Sequence, residues 1–312
     1  MGKADIIIIS RNGADLTMDC IRSIHKHYDD VDITLVDNCS ADNTIELVSK
    51  NFKDVNIIEN PENYGYAKAI NIGFKYTSND LVVVSNNDIV FHEDTLDPLI
   101  NEMENDGKIG LTGPQQVDAN GEPGLSYGDL PGYSSALKSA LFIDTTTAEI
   151  RRSMRKRGIN MKNEPREVGY IDGGLMLIKR KAFDTVSGFD EDYFFYTEEA
   201  DFSYRLKQKG WKVIFQPNAS VTHYRGGVSE DKGFSRKNIE MLINSKALYC
   251  KKHLSRKEGL FFLKALRFRF RLWLLINSIL PKKPSSSLER IREKKQLHQL
   301  FYDSLREAIS VY

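Results

Sequence analysis

The chain has 312 residues, enough for one large domain or a domain with an appendage. Its 41% hydrophobic and 28% charged content is that of a globular protein and excludes collagen-like, disordered and multi-span classes. A net charge of +1 gives no global drive toward nucleic acid, yet from Lys251 to Lys295 lysine and arginine far outnumber Glu258, Glu289 and Glu293.

Cys20, Cys39 and Cys250 are odd in number, widely spaced and free of any Cys-x-x-Cys pair. That argues against a disulfide framework or a zinc knuckle and fits a reducing cytosol. No secretory signal precedes Asp5, and Ile6–Ile9 reads as a buried strand rather than a signal core. No stretch reaches the roughly 18 uninterrupted apolar residues of a spanning helix. The expectation is a cytoplasmic protein.

In chain order, Asp5–Ser10 is an apolar strand, and Leu16–His27 is a helix with Leu16, Cys20, Ile21 and Ile24 at helical spacing. Ile33–Val36 is a second strand, Asn43–Lys50 a helix with Asp42 as its N-cap, and Asn56–Glu59 a third strand. Tyr66–Tyr76 is a helix and Leu81–Ser85 a fourth strand. This alternation predicts an α/β fold with a parallel sheet covered by helices on both faces. Gly121–Gly132 and Thr145–Glu167 read as loops over a site. Val168–Lys179 is strand-like, Tyr193–Lys209 leads into a helix that closes at Gly210, and Trp211–Phe215 and Ala219–Thr222 are strand-like again. Leu260–Leu280 is helical, Pro281–Ser287 breaks the chain, and Leu288–Ile309 is a last helix. A catalytic domain over residues 1–230 and a helical, basic extension over 231–312 follow.

Ligands of such sheets bind outside the carboxyl ends of the strands. Three polar clusters follow strands: Ser10-Arg11-Asn12, Asp37-Asn38 and Asn86-Asn87-Asp88. The same residues are good turn formers, but three on one sheet edge favour a site. Asp88 with its neighbouring amides suits a hard cation, Mg²⁺ or Mn²⁺, that bridges to substrate phosphates. Asn60–Gly73 runs from a polar loop through Asn63 and Gly65 into a helix whose N-terminal amides can face an anion, with Lys68 in reach of a phosphate. Equally, it is a capped helix packed on the sheet through Ala67, Ile70 and Phe74.

Glu198-Glu199-Ala200-Asp201 follows the aromatic run Tyr193–Tyr196. Carboxylates beside aromatic walls suit a general base, while an acidic first turn also complements a helix dipole. His223 can add a metal ligand and Arg225 can meet phosphate, although a lone histidine is more often structural.

In order, these motifs resemble glycosyltransferase family 2, the GT-A-fold group that includes many bacterial rhamnosyl-, galactofuranosyl- and glucosyltransferases. The resemblance runs from about Asp5 to about Ser229. It rests on Val36–Asp42, Asn63-Tyr64-Gly65 through Asn71-Ile72-Gly73, and Asn86-Asn87-Asp88. Asp172–Arg180, Gly188–Glu191, Phe195–Asp201 and His223 complete the set. It implies a GT-A fold, a Rossmann-like and mainly parallel sheet, with the C-terminal helices as an extension. It further implies an inverting transferase that moves a sugar from a UDP- or dTDP-linked donor to a hydroxyl of a glycan or lipid-linked acceptor, in bacterial surface polysaccharide synthesis.

By the same resemblance Asp37 binds the donor's base or ribose, and the Ser10 region lines the base pocket. Ser10, Asn12, Asp37, Asn38, Asn63, Gly65, Lys68 and Asn87 form the nucleotide-binding set. Asp88 holds the Mg²⁺ or Mn²⁺ with His223, while Asp172, Gly173, Gly174 and Arg225 lie on the donor-sugar or acceptor side. Glu199 aligns with the usual base, where many relatives have Glu-Asp; Asp201 is the fallback and Glu198 the third carboxylate. Asn86 replaces the first carboxylate of the Asp-x-Asp metal motif.

Two other readings use the same residues. A sugar-phosphate nucleotidyltransferase also sets a pyrimidine nucleotide and a metal on an α/β sheet, but the Gly-rich basic loop it needs is absent at Ser10-Arg11-Asn12-Gly13. A non-catalytic sugar-nucleotide-binding scaffold would keep the fold without turnover. In the tail, Leu263, Leu266, Phe270, Trp273, Leu274 and Ile276 interleave with Lys264, Arg267, Arg269 and Arg271. That is the pattern of an interfacial anchor, which would hold the protein peripherally on the inner face of the cytoplasmic membrane. A helix packed on the catalytic domain or on a second subunit, as in a homodimer, has the same pattern. No nucleic-acid-binding fold is recognisable.

Overall fold

The computed structural model describes residues 4–143, 164–224, 235–279 and 288–312. The chain divides into two compact units, Met1–Asp129 with Lys162–Glu230, and Leu130–Met161 with Asp231–Tyr312. The single boundary expected at residue 230 therefore gains a second segment.

In chain order the elements are β1 (Ala4–Ser10), α1 (Ala14–His27), β2 (Val31–Asp37), α2 (Thr44–Asn51), β3 (Asn56–Glu59), α3 (Tyr66–Phe74) and β4 (Leu81–Asn86). Next come β5 (Ile89–Phe91), α4 (Leu96–Asn105), β6 (Ile109–Val117), β7 (Tyr127–Gly128) and α5 (Tyr133–Ala140), the last in the second unit. Then follow β8 (Arg166–Glu167), β9 (Tyr170–Ile171), β10 (Leu175–Lys179), α6 (Arg180–Thr185), α7 (Glu198–Gln208) and β11 (Lys212–His223). The C-terminal helices are α8 (Arg236–His253), α9 (Arg256–Ile279) and α10 (Leu288–Val311). Of the two expected loops, Gly121–Gly132 contains β7 and Thr145–Glu167 ends in β8, with residues 145–163 outside the described ones.

The main sheet runs β3-β2-β1-β4-β10-β6-β11-β5, with β8 on β11. β1 to β4 pair in parallel, as the alternation predicts, and β6 pairs in parallel with β11. β10 is antiparallel to both β4 and β6. The expected continuous strand Val168–Lys179 is broken at Asp172–Gly174, and Leu175, the first residue of β10, pairs with Ser85 near the end of β4. The chain thus enters β10 at the edge where β4 leaves, which sets the antiparallel direction and keeps Asp172–Gly174 at that edge. β11 carries a register shift between Gln216 and Ser220, where Pro217 cannot donate to the ladder. The two expected strand-like pieces are therefore one strand.

Alternation in β1 builds the core on both faces. Ile6 and Ile8 join Met18, Ile21 and Ile24 of α1, whereas Ile7 and Ile9 join Ala67, Ile70 and Phe74 of α3. Each such fully buried isoleucine contributes about 1.5–3 kcal/mol.

The second unit packs Ala136 of α5, Ile239 and Ile243 of α8, Phe262 and Leu263 of α9, and Leu305 and Ala308 of α10 into one cluster. Phe270 stacks on Phe301 at 4.6 Å and Trp273 on His298 at 3.6 Å. Several apolar residues that suggested an anchor, Leu263, Leu266 and Phe270 among them, are thus used inside this unit. Among the described residues no helix is long and apolar enough to cross a membrane.

Candidate active site

The parallel register sets the three polar clusters side by side. Ser10 pairs with Asp37 across β1 and β2, and Ile9 pairs with Asn86 across β1 and β4. Asn87 Nδ2 donates to Ser10 Oγ at 3.2 Å, the Asn12 carbonyl at 3.0 Å and Thr17 Oγ1 at 3.0 Å. It therefore ties the turn after β1 to the end of β4. Asn12 takes a left-handed φ of 61°; its backbone N–H donates to Ser40 Oγ at 2.7 Å and its Oδ1 accepts from Ala41 at 2.8 Å. Ser40 in turn donates to both oxygens of buried Asp37, by its amide at 2.8 Å and by its hydroxyl. A carboxylate has about four lone-pair sites, so Asp37 keeps accepting capacity. Asp42 reaches back to the Gly13 and Ala14 amides at 2.8 and 3.2 Å and also accepts from Thr44 N at 3.1 Å. It serves the start of α1 as well as that of α2, whose N-cap is Asn43.

Buried Asn38 organises the next loop. Its Nδ2 donates to Asn63 Oδ1 at 2.9 Å and the Gly65 carbonyl at 3.0 Å, and its Oδ1 accepts from Asn60 and Tyr64. Gly65 has φ of 80°, and a Cβ there would lie 2.2 Å from the Phe194 carbonyl oxygen; only glycine fits. Tyr66 N–H, one of the helix-start amides expected to face an anion, donates to Phe194 O at 2.8 Å instead. The cation of this segment, Lys68, has its Nζ 3.9 Å above the Tyr64 ring.

Asp88 and His223 come together. His223 Nε2 lies 3.2 Å from Asp88 Oδ1, and its Nδ1 lies 2.6 Å from Gln116 Oε1. Gln116 Nε2 donates to the Asp172 carbonyl at 3.4 Å, which turns Oε1 toward the histidine. An amide oxygen accepts only, so Nδ1 carries the proton and Nε2 presents its lone pair to Asp88 when the ring is neutral. Two lone pairs facing each other are reconciled by a proton or a cation. A carboxylate and an imidazole 3.2 Å apart are donors a divalent cation takes, and since no group of three such ligands gathers among the described residues, substrate oxygens would have to complete its shell. The pair fits a divalent cation, with Gln116 orienting the imidazole. A Cβ at Gly174 would lie 2.8 Å from His223 Nδ1 and 2.9 Å from Gln116 Oε1, so this glycine is what admits the pair. The Gly173 carbonyl accepts from the Tyr66 hydroxyl at 2.6 Å, and Gly174 O from Asn86 N–H at 2.9 Å. Arg225 lies outside the described residues.

The first turn of α7 supplies the acids. It is preceded by Tyr196 and Thr197, both left-handed at φ of 71° and 72°, a strain that bulky and β-branched residues bear only where the fold enforces it. Glu198 is buried, and among the described residues its Oε2 has no hydrogen-bond partner. Burial, then the charges of Glu199, Asp172 and Asp201, push its carboxyl well above the usual range. Glu199 is half-buried. Asp201 is fully buried and ion-paired to Arg205 at 2.7 Å, whose guanidinium also donates to the Val186 and Gly188 carbonyls at 2.8 Å.

Tyr66, in α3, touches two of these segments, its hydroxyl on the Gly173 carbonyl and its ring edge-on to Phe195 at 6.1 Å. Burial raises its hydroxyl's pKa well above normal, followed by the charges of Glu198, Asp172, Glu199 and Asp88. The Tyr170 hydroxyl is likewise raised by burial and then by Glu199 and Asp172. Tyr66 and Gln116 are absent from the sequence-based set. The signal available for Gln116 was the polar Gln115-Gln116 pair near the end of a strand that is mostly buried.

A family model described as glycosyl transferase family 2 matches residues 5–187. The chain is 27% identical over 210 residues to the N-acetylglucosaminyl-diphospho-decaprenol L-rhamnosyltransferase of Mycobacterium tuberculosis H37Rv, covering 62% of this chain and 67% of that protein. It is 27% identical over 195 residues to the poly-beta-1,6-N-acetyl-D-glucosamine synthase of Staphylococcus aureus COL, of whose length it spans 42%. Among solved structures, the mannosyltransferase PcManGT from Pyrobaculum calidifontis with GDP-Man and Mn²⁺ superposes with a TM-score of 0.59 at 15% identity. That match covers 99% of this chain and 86% of the other. S. aureus TarS gives 0.56 at 13%, covering 99% and 55%. At such identities the likeness speaks for the fold.

Proposed function

This chain belongs to glycosyl transferase family 2 and is a glycosyltransferase, and on that premise we propose that it transfers a sugar, with inversion, from a UDP- or dTDP-linked donor to a hydroxyl of a glycan or lipid-linked acceptor. The observation that carries the reading is the Asp88–His223 pair, 3.2 Å apart, oriented by Gln116 at the edge where the Ser10, Asp37 and Asn86 strand ends lie side by side. A carboxylate and an imidazole held this close at the carboxyl edge of the sheet suit a site that handles charge.

The donor nucleoside lies against Asp37, whose spare lone pairs accept from base or ribose, in a wall that Asn12, Asn38, Asn63 and Asn87 hold in shape. Lys68 meets the diphosphate. When bound, a divalent cation at Asp88 and His223 supplies positive charge to the departing diphosphate. Glu199, half-buried and open to the acceptor, takes the hydroxyl proton as general base. The hydroxyl oxygen attacks the anomeric carbon as the bond to the diphosphate oxygen breaks, and the configuration inverts. Burial and the charge of Glu199 push the Glu198 carboxyl toward its protonated form, which lessens the negative charge beside Glu199. Asp201 is a positioning residue, because Arg205 already holds it.

The relatives' printed names, a rhamnosyltransferase on a diphospho-decaprenol and a polysaccharide synthase, support a place in bacterial surface-glycan synthesis. A screen of UDP- and dTDP-sugars for hydrolysis and transfer, with and without Mn²⁺, tests the proposal. Turnover of one donor is expected, dependent on the cation, with Asp88→Ala losing cation-dependent donor binding. Binding across the panel with no turnover of any donor would mark a scaffold instead.

A further inference from the structure

The outer face of α9 carries a pattern distinct from the apolar residues spent in the helical core. Its exposed positions are Arg256, Lys257, Phe261, Lys264, Phe268, Arg271, Leu275 and Ile276. From Lys257 to Leu275 the spacing is four, three, four, three and four, so these residues form one stripe on the helix. Along it a cation and a large apolar side chain alternate. Phe261, Phe268 and Leu275 stand 42%, 53% and 51% exposed, which is unusual for three such residues in line on one helix.

Neighbouring α5 continues the apolar part. Tyr133 packs its ring against Phe261 at 5.2 Å, and Leu137 and Leu141 follow at helical spacing with 54% and 59% exposure. The remaining arginines of α9 are engaged within the unit. Arg267 donates to the Tyr302 hydroxyl at 2.7 Å, and Arg269 to Ser139 Oγ at 2.9 Å. The one acid of α9, Glu258, accepts from the Tyr133 amide at 3.2 Å. The stripe therefore has no carboxylate of its own.

We propose that this stripe of α9, flanked by Tyr133, Leu137 and Leu141, docks on an anionic lipid bilayer. Phenylalanine and leucine side chains enter the headgroup boundary, while Lys257, Lys264 and Arg271 extend along them to reach lipid phosphates. Charge selects this occupant over a second copy of the chain, since two such stripes laid together would oppose cation to cation. A groove of about 410 Å³ lined by Arg271, Leu274, Leu275, Gln299 and Tyr302 opens beside the stripe, giving a headgroup a cation next to apolar walls.

The inference stands apart from the sugar-transfer reading, and its test does not use turnover. The full chain is co-sedimented with vesicles of pure phosphatidylcholine and of phosphatidylcholine with an equal part of phosphatidylglycerol. Binding to the anionic vesicles alone is expected, and it should weaken as salt rises from about 0.01 M, where the Debye length is about 30 Å, toward about 1 M, where it is about 3 Å. Lys264→Gln with Arg271→Gln should cost on the order of 30-fold in partitioning, about fivefold per cation. Phe261→Ser with Phe268→Ser should cost roughly tenfold or more. Absence of binding, equal binding to neutral vesicles, or binding untouched by both double variants overturns the proposal. So does a concentration-dependent dimer that Phe261→Ser with Phe268→Ser abolishes while vesicles bind nothing. Donor hydrolysis, measured in parallel on a water-soluble sugar nucleotide, should be unchanged in these variants.

Discussion

In the first turn of α7, three carboxylates, Glu198, Glu199 and Asp201, lie within four residues and are buried or half-buried; along α9, the cations Lys257, Lys264 and Arg271 stand in solvent on one stripe. A buried charge costs several kcal/mol unless something relieves it, and each acid of α7 is relieved differently. Asp201 has Arg205, Glu198 is pushed toward its protonated form by burial and the neighbouring acids, and Glu199 retains partial access to water. The α9 cations need no relief. Placement of charge is therefore informative in α7 residue by residue, and in α9 only through its pattern.

The largest effect expected separates Glu199 from its neighbours. Glu199→Gln should lower transfer by about 10²–10⁴-fold, the range for loss of a general base, with donor affinity retained. Calorimetric titration of donor alongside initial rates checks both halves; a rate within tenfold of the unsubstituted enzyme would remove Glu199 from the reaction. Next comes the pair that holds the turn. Arg205→Met leaves Asp201 buried without its counter-charge and should cost about 3–5 kcal/mol in urea unfolding. Adding Asp201→Asn to that variant should recover much of the loss. If the single substitution costs under about 1 kcal/mol, the buried pair is not what fixes the start of α7.

Much of this arrangement was legible in the chain, for a physical reason. Ile6–Ile9 and Leu81–Ser85 are apolar on both faces and separated by helical periodicity, which only a covered parallel sheet satisfies. The strand-end clusters at Ser10, Asp37 and Asn86 followed from the same logic, and the register sets them together. The direction of β10 was not legible, because it depends on where the chain re-enters the sheet after a long excursion. Gln116 was hidden for a related reason: the Gln115-Gln116 pair marks a polar spot in the strand, but its partner His223 lies 107 residues away and nothing local names it. Asp42 and the Tyr66 amide show the converse. Their local signals were real, but tertiary partners, the α1 amides and the Phe194 carbonyl, redirected them. In α9 the amphipathic pattern was visible, but one helix has two apolar faces, and only packing against α10 reveals which of them is spent.

Acidity sharpens the contrast between Glu198 and the acids beside it. Its carboxyl titrates above its usual value in the folded chain and near 4.3 when unfolded. Below the unfolded value both states are protonated and Glu198 costs nothing. As pH rises past it the unfolded state alone ionises, so stability falls until the folded value is passed. Glu198→Gln should therefore raise the melting temperature at pH 7, with the gain vanishing toward pH 4. A gain that persists unchanged at pH 4 would mean that packing, not the proton, sets the difference.

The smallest effect is expected on α9, and its smallness is the point. Lys264→Gln with Arg271→Gln should change folding stability by no more than about 0.5 kcal/mol, because both are exposed and neither makes an ion pair among the described residues. Arg267→Met on the same helix should cost about 1.5–3 kcal/mol, since it removes a charged donor from the Tyr302 hydroxyl at 2.7 Å. Urea unfolding of the two variants side by side decides the matter. If the exposed pair proves as costly as Arg267, the stripe is part of how the helical unit folds, and its alternation has a structural cause. If it is neutral, nothing in folding maintains a cation at every second position of that stripe, and the cause must lie in what the face meets.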